Sequence, residues 1–143
     1  MDRSAVIVLQ NPHVALIERV REGRTYYLFP GGGIKENETS AQAAVREARE
    51  ELGVDVTLHG LAASVTFAGN KQYFYAATII AGAFGNGTGS EFTASPTAEK
   101  GSYRPVWLPL SDLTVCDVRP QALAHALVTQ SYPFVTPLHF NEC

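Results

Sequence analysis

The sequence predicts an α+β domain, and three observations carry that prediction. Short β-branched and aromatic runs recur along the first two thirds of the chain. A capped amphipathic helix interrupts them near residue 40, and a second helical pattern follows the last run, near residue 120. Ala5 to Leu9 is a β-branched run that reads as a buried strand; Asn11-Pro12 breaks it and His13 to Val20 resumes as a second. Arg21-Glu22-Gly23-Arg24 is a polar turn, and Thr25 to Phe29 forms a third strand. A hairpin thus delivers the chain into Pro30-Gly31-Gly32-Gly33, a loop whose backbone can come very close to a ligand or ion.

The first helix is delimited by its own chemistry. Thr39 with Gln42 three residues later is a capping-box pattern, so the helix starts near Ser40. Gly53, directly after Leu52, is a stop signal because glycine enters the left-handed region without a Cβ penalty. Ala41, Ala44, Val45, Ala48 and Leu52 recur at spacings of three and four and define an apolar side. Beyond it, Val54 to Leu58 and Leu61 to Phe67 alternate as strands, Gly69-Asn70-Lys71 turns the chain, and Gln72 to Ala81 is its most strongly β segment. Residues 82–101, with five glycines and Pro96, read as a long functional loop. Tyr103 to Leu108 is a last strand, and Pro109 to Leu113 a turn. Pro120 opens a second helix carrying Ala122, Leu123, Ala126 and Leu127, and the tail from Tyr132, with Pro133 and Pro137, is extended or loose.

Composition narrows the function classes. A chain of 143 residues, 45% hydrophobic and 17% charged, is expected to form one globular domain over residues 1–143. A net charge of −3 argues against a nucleic-acid-coating surface, so no stable nucleic-acid partner is expected. No apolar run approaches the ~20 residues of a membrane-spanning helix, and Met1-Asp2-Arg3-Ser4 does not begin a secretory signal. With Cys116 and Cys143 as the two cysteines, reduced thiols and a cytoplasmic location are the expectation.

The chemistry concentrates on Arg46-Glu47-Ala48-Arg49-Glu50-Glu51. On a helix Glu47, Glu50 and Glu51 lie within roughly 100° of one another. Like charges so placed cost a few tenths of a kcal/mol when exposed. Clustered carboxylate oxygens are what a hard divalent cation such as Mg²⁺ requires. The competing reading is a solvated face neutralised by Arg46 and Arg49.

The flanking residues decide between these readings. Gly32, Glu38, Arg46-Glu47, Glu50-Glu51 and Gly53-Val54, at their spacings, resemble the signature of the Nudix hydrolases, with Ala48 where that family usually carries a larger aliphatic residue. The resemblance covers Gly32 to Val54 and implies the family's α/β/α sandwich around a mixed β-sheet. It implies a metal-dependent pyrophosphohydrolase that cleaves a diphosphate linkage in a nucleoside diphosphate joined to another moiety, with Mg²⁺ or Mn²⁺ as cofactor and a small nucleotide as substrate. Glu47, Glu50, Glu51 and the Gly32 carbonyl inherit the metal-holding roles, Arg46 the fixing of a signature carboxylate, and Glu38 an indirect support of the site. The catalytic base is left open between a helix glutamate and an acid of a distant loop. Glu91 is the candidate there, with Glu99 beside it and ordinary surface positions as the alternative for both.

The alternative function is a catalytically silent nucleotide-binding or regulatory domain; intact signature glutamates favour the enzyme. A homodimer is compatible with either, and the identity of the nucleotide is not fixed. His13, His59, His125 and His139 lack ligand spacing. Tyr26, Tyr27, Phe29, Phe67, Tyr73, Phe74 and Tyr75 are read as sheet packing, with one or more free to face a cleft and stack on a base, and Trp107 as core.

Overall fold

A computed structural model describes residues 1–85 and 101–142. Nine strands and two helices follow one another among these residues. The strands β1 (Arg3–Gln10), β2 (His13–Arg21), β3 (Arg24–Leu28) and β4 (Gly31–Gly33) precede helix α1 (Ser40–Leu52). Strands β5 (Val54–Phe67), β6 (Asn70–Gly82), β7 (Ser102–Pro109) and β8 (Val118–Arg119) lead to helix α2 (Gln121–Thr129) and strand β9 (Leu138–Glu142). A 3₁₀ turn, Leu110–Asp112, follows β7.

The sheet is mixed. Its order is β8-β3-β2-β1-β6-β5-β9, with β4 added to β1 and β7 to β2. β1 runs parallel to β6 and antiparallel to β2 and β4. Period-two alternation along β1 divides the core in two. Ala5 and Ile7 join a cluster with Leu16, Phe74 and, from α2, Leu123 and Leu127. Val6 and Val8 join another with Ile17 and, from α1, Ala44, Ala48 and Leu52. Helix, sheet and helix therefore stack in the layered arrangement expected. β1 and β2, apolar on both faces, read as continuous hydrophobic runs because neither face meets water.

Helix α1 has the ends its sequence prescribes. Thr39 accepts a hydrogen bond from the Gln42 amide at 3.0 Å, and Thr39 N–H donates to the Gln42 side chain at 2.9 Å. Gly53 closes the helix at φ 78°, ψ 20°. Its buried side is rotated from the expected one: Ala41 and Val45 are half-buried, whereas Ala43, Glu47 and Glu51 are buried. The reason is that α1 packs on β1 and β4 as well as on β5, and this tucks its glutamate edge under the glycine segment.

Several expectations are corrected. Val54 to Leu58 and Leu61 to Phe67 form one strand, because β6 pairs along its whole length and the register shifts at Leu58/Gly60 and Leu61/Ala63 absorb the irregularity as bulges. The tail is not loose throughout: β9 pairs in parallel with β5 from Ala63↔Leu138 to Phe67↔Glu142. Gly31–Gly33 is a strand rather than a loop, and β8 was not foreseen. Trp107 is half-buried and stacks on Phe84 with ring centroids 4.6 Å apart. No helix among the described residues is long and apolar enough to cross a membrane.

Candidate active site

The site forms where α1 crosses the glycine strand. β4 is held to β1 by antiparallel pairing, Ser4 opposite Gly32. The Gly31 N–H donates to Glu51 Oε1 at 3.1 Å, a buried bond that ties the strand directly to the helix. At Gly32 the approach is closer still: a Cβ there would stand 2.6 Å from the carboxylate carbon of Glu47. Glycine is required at this position by contact, not by backbone conformation.

Arg46 organises the carboxylates. Its Nε and Nη2 donate to the two oxygens of Glu38 at 2.8 and 3.0 Å, the planar fork matching the carboxylate. Nη1 donates to Glu47 Oε1 at 2.8 Å and Glu50 Oε2 at 3.1 Å, and Nη2 also to the Gly33 carbonyl at 2.9 Å. One guanidinium thus links the glycine strand, the residue before the helix cap and one turn of α1. Arg46 and the Lys35 amide hold the Glu38 carboxyl down at about 2, and the same ion pair raises Arg46. Glu38 therefore serves the site by gripping Arg46, while Thr39 and Gln42 cap the helix.

The solvated-face reading fails on burial. Glu47 is 9% and Glu51 7% exposed, and Arg49 turns away to Asp55 at 2.7 Å. Glu47, Glu50, Glu51, Gly32 and Arg46 all line one cavity of about 420 Å³. Among the described residues, no three His, Cys, Asp or Glu side chains close on a point as a ready-made ion cage. Glu47 and Glu50 are both drawn onto Arg46 Nη1. The donor set nonetheless suits a hard divalent ion: three carboxylates beside a glycine backbone whose missing side chain leaves the cradle open.

Of the sequence-predicted site residues, Gly32, Arg46, Glu47, Glu50 and Glu51 come together here. Glu91, like Glu99, lies outside the described residues. Sequence reasoning missed Arg3, Lys35 and Tyr103, which also border this cavity. Arg3 and Tyr103 arrive by strand pairing across the chain, for which no local pattern exists, whereas Lys35 closely follows the glycine strand. Among the aromatic residues named as able to face a cleft, Phe29 and Phe67 line a second cavity of about 300 Å³, and half of Phe67 remains exposed.

A family model described as NUDIX domain matches residues 1–132. The chain belongs to the NUDIX domain family. Its Nudix signature is the segment that carries the cavity just described. Among curated proteins, an 8-oxo-dGTP diphosphatase of Proteus vulgaris is 53% identical over 32 residues, 22% of this chain and 29% of that protein. An RNA pyrophosphohydrolase of Marinomonas sp. (strain MWYL1) is 43% identical over 49 residues, 34% of this chain and 30% of the relative. Each match thus spans under a third of the relative's own length. A NUDIX hydrolase from Nitrosomonas europaea superposes over 98% of this chain and 78% of its own with a TM-score of 0.67 at 17% identity, a likeness of fold.

Proposed function

We propose that this Nudix protein is a divalent-metal-dependent pyrophosphohydrolase that cleaves the diphosphate linkage of a nucleoside diphosphate joined to another moiety. The observation that carries the reading is the meeting of Glu47, Glu50 and Glu51 with the glycine strand in one cavity. The two curated relatives differ in the substrate their names give and agree in diphosphate cleavage, which supports the bond class and leaves the nucleotide open.

A diphosphate resists water because its anionic oxygens repel a nucleophile. Glu47, Glu50, Glu51 and the Gly32 carbonyl would hold Mg²⁺ or Mn²⁺. When bound, such an ion offsets phosphate charge and lowers the pKa of the attacking water. Arg46 fixes the rotamers of Glu47 and Glu50, as supporting residues around metal sites commonly do. Glu50 is the carboxylate with room to work, its side chain 34% exposed toward the cavity, against 12% for Glu47. It can accept the proton of the attacking water. Glu91 is the other candidate for that role. Nucleotide sugars, dinucleoside polyphosphates and normal and oxidised dNTPs, each incubated with Mg²⁺ or Mn²⁺ and assayed for phosphate or pyrophosphate release, test the reading. Turnover that vanishes in EDTA is expected for one class. Binding without turnover across the whole panel would replace the hydrolase with the silent binding domain.

A further inference from the structure

The metal-type cavity does not end blindly. Arg3, Leu28 and Phe29 border both it and the second cavity, so the two adjoin along a seam with an apolar wall and a single charged residue. Arg3 stands at the start of β1, in register with Gly33 of β4 on one side and Gln72 of β6 on the other. Strand pairing, not a flexible loop, sets its place.

Of the other cations lining the two cavities, Lys35 borders the carboxylate cavity alone, away from the seam, and the rest are engaged. Arg46 is spent on Glu38, Glu47 and Glu50. Arg119 pairs with Asp117 at 2.9 Å and lies over the Tyr26 ring at 4.1 Å. Lys71 sits 5.8 Å from the Tyr73 ring centroid. The Arg3 side chain is exposed and, among the described residues, has neither an ion-pair nor a hydrogen-bond partner. An unpaired guanidinium at the mouth shared by a carboxylate cavity and an aromatic one is an anion site in waiting.

We propose that Arg3 is a positioning residue that takes the 5′-phosphate of the nucleotide, the group joining the bond being cut to the nucleoside beyond it. The proposal rests on the hydrolase reading for the direction of the substrate. The scissile linkage lies over the carboxylates, the base lies against the exposed face of Phe67, and the intervening phosphate meets Arg3 at the seam. It follows that a nucleoside monophosphate is held after cleavage by a contact that needs no metal ion.

Titration calorimetry in EDTA and low salt tests this directly, using the four nucleoside 5′-monophosphates and their parent nucleosides. Wild type should bind at least one monophosphate about tenfold more tightly than its nucleoside, the worth of one charge-assisted hydrogen bond at a solvent-facing site. Arg3→Gln should erase that difference without changing nucleoside affinity, Arg3→Lys should keep part of it, and added salt should shrink it. Circular dichroism confirms that both variants are folded, and Arg3→Lys carries the test if the glutamine variant is not. A monophosphate preference that survives Arg3→Gln overturns the proposal, as does wild type binding no monophosphate better than its nucleoside. Failure of the hydrolase reading looks different: no turnover by wild type in the Mg²⁺ panel, with the Arg3-dependent preference intact.

Discussion

Three consecutive glycines should respond to the same substitution in three different ways. At Gly32 an alanine Cβ would lie 2.6 Å from the Glu47 carboxylate carbon, whereas non-bonded carbons settle at ~3.5–4.0 Å. The carboxylate must retreat by about 1 Å. Its 2.8 Å bond from Arg46 then stretches past the usual ~3.2 Å limit of an N–H···O contact. Stability should fall by only about 1–2 kcal/mol, the worth of one such bond. A 1 Å displacement of a group in the catalytic constellation costs on the order of 10²-fold in kcat. Gly31→Ala is a different perturbation: the added methyl meets β1 backbone, with Ala5 Cα at 2.7 Å, and overpacking there should cost ~1–3 kcal/mol. Gly33→Ala meets Met1 Sδ at 2.6 Å, the far end of a flexible and largely exposed side chain that can swing aside, so both stability and kcat should stay near wild type. Urea denaturation with single-turnover assays on the best substrate of the panel reads all three. If Gly32→Ala turns over like Gly33→Ala, the close approach of Gly32 to Glu47 is not what sets the site.

Glu50→Gln and Glu51→Gln should each keep the fold and lose turnover by on the order of 10²-fold or more, since even supporting residues of metal sites cost ~10–100-fold. Near-normal rates in both at saturating Mg²⁺ would remove the metal assignment. The Glu38 carboxyl is held below its ordinary value, near 2 against 4.5, so its contribution to stability is complete above pH 4.5 and lost as pH falls from there toward 2. Denaturation midpoints of Glu38→Gln and wild type should therefore converge across that window; a constant gap down to pH 2 would show that the carboxylate charge is not what Arg46 uses. Glu91→Gln should lower kcat more than it raises KM, with Glu99→Gln as the control; two variants that both behave like wild type would leave the base on α1.

The parts of the structure that were legible in the sequence are those fixed by neighbours along the chain. The span of α1 followed from Thr39, Gln42 and Gly53, whose hydrogen bonds and backbone angles are local. The gathering of Glu47, Glu50 and Glu51 followed from helical geometry. Which side of the helix would be buried did not, because that depends on where β4 lies. An apolar moment drawn from Ala41 and Val45 pointed a little away from the true interface. β8 and β9 escaped notice for the same reason: two and five residues long, they exist because Tyr27–Leu28 and Ala63–Phe67 offer them an edge. Arg3 is the sharpest case. Nothing about an arginine two residues from the start of the sequence announces a place between two cavities, and only the pairing of β1 with β4 and β6 puts it there.

That central strand also governs how the molecule must come off the ribosome. β1 is apolar on both faces, and the parallel partner of Ser4, Tyr73, is 69 residues further along. At synthesis rates of ~5–20 residues per second, Ala5–Val8 waits roughly 3–14 s before its β6 neighbour is made. During that interval α1, complete by Leu52, can cover Val6 and Val8, whereas Ala5 and Ile7 wait longer still, for Leu123 and Leu127 of α2. The feature that lets two small helices bury a common sheet therefore leaves one face of the nascent strand uncovered until the second helix has been made.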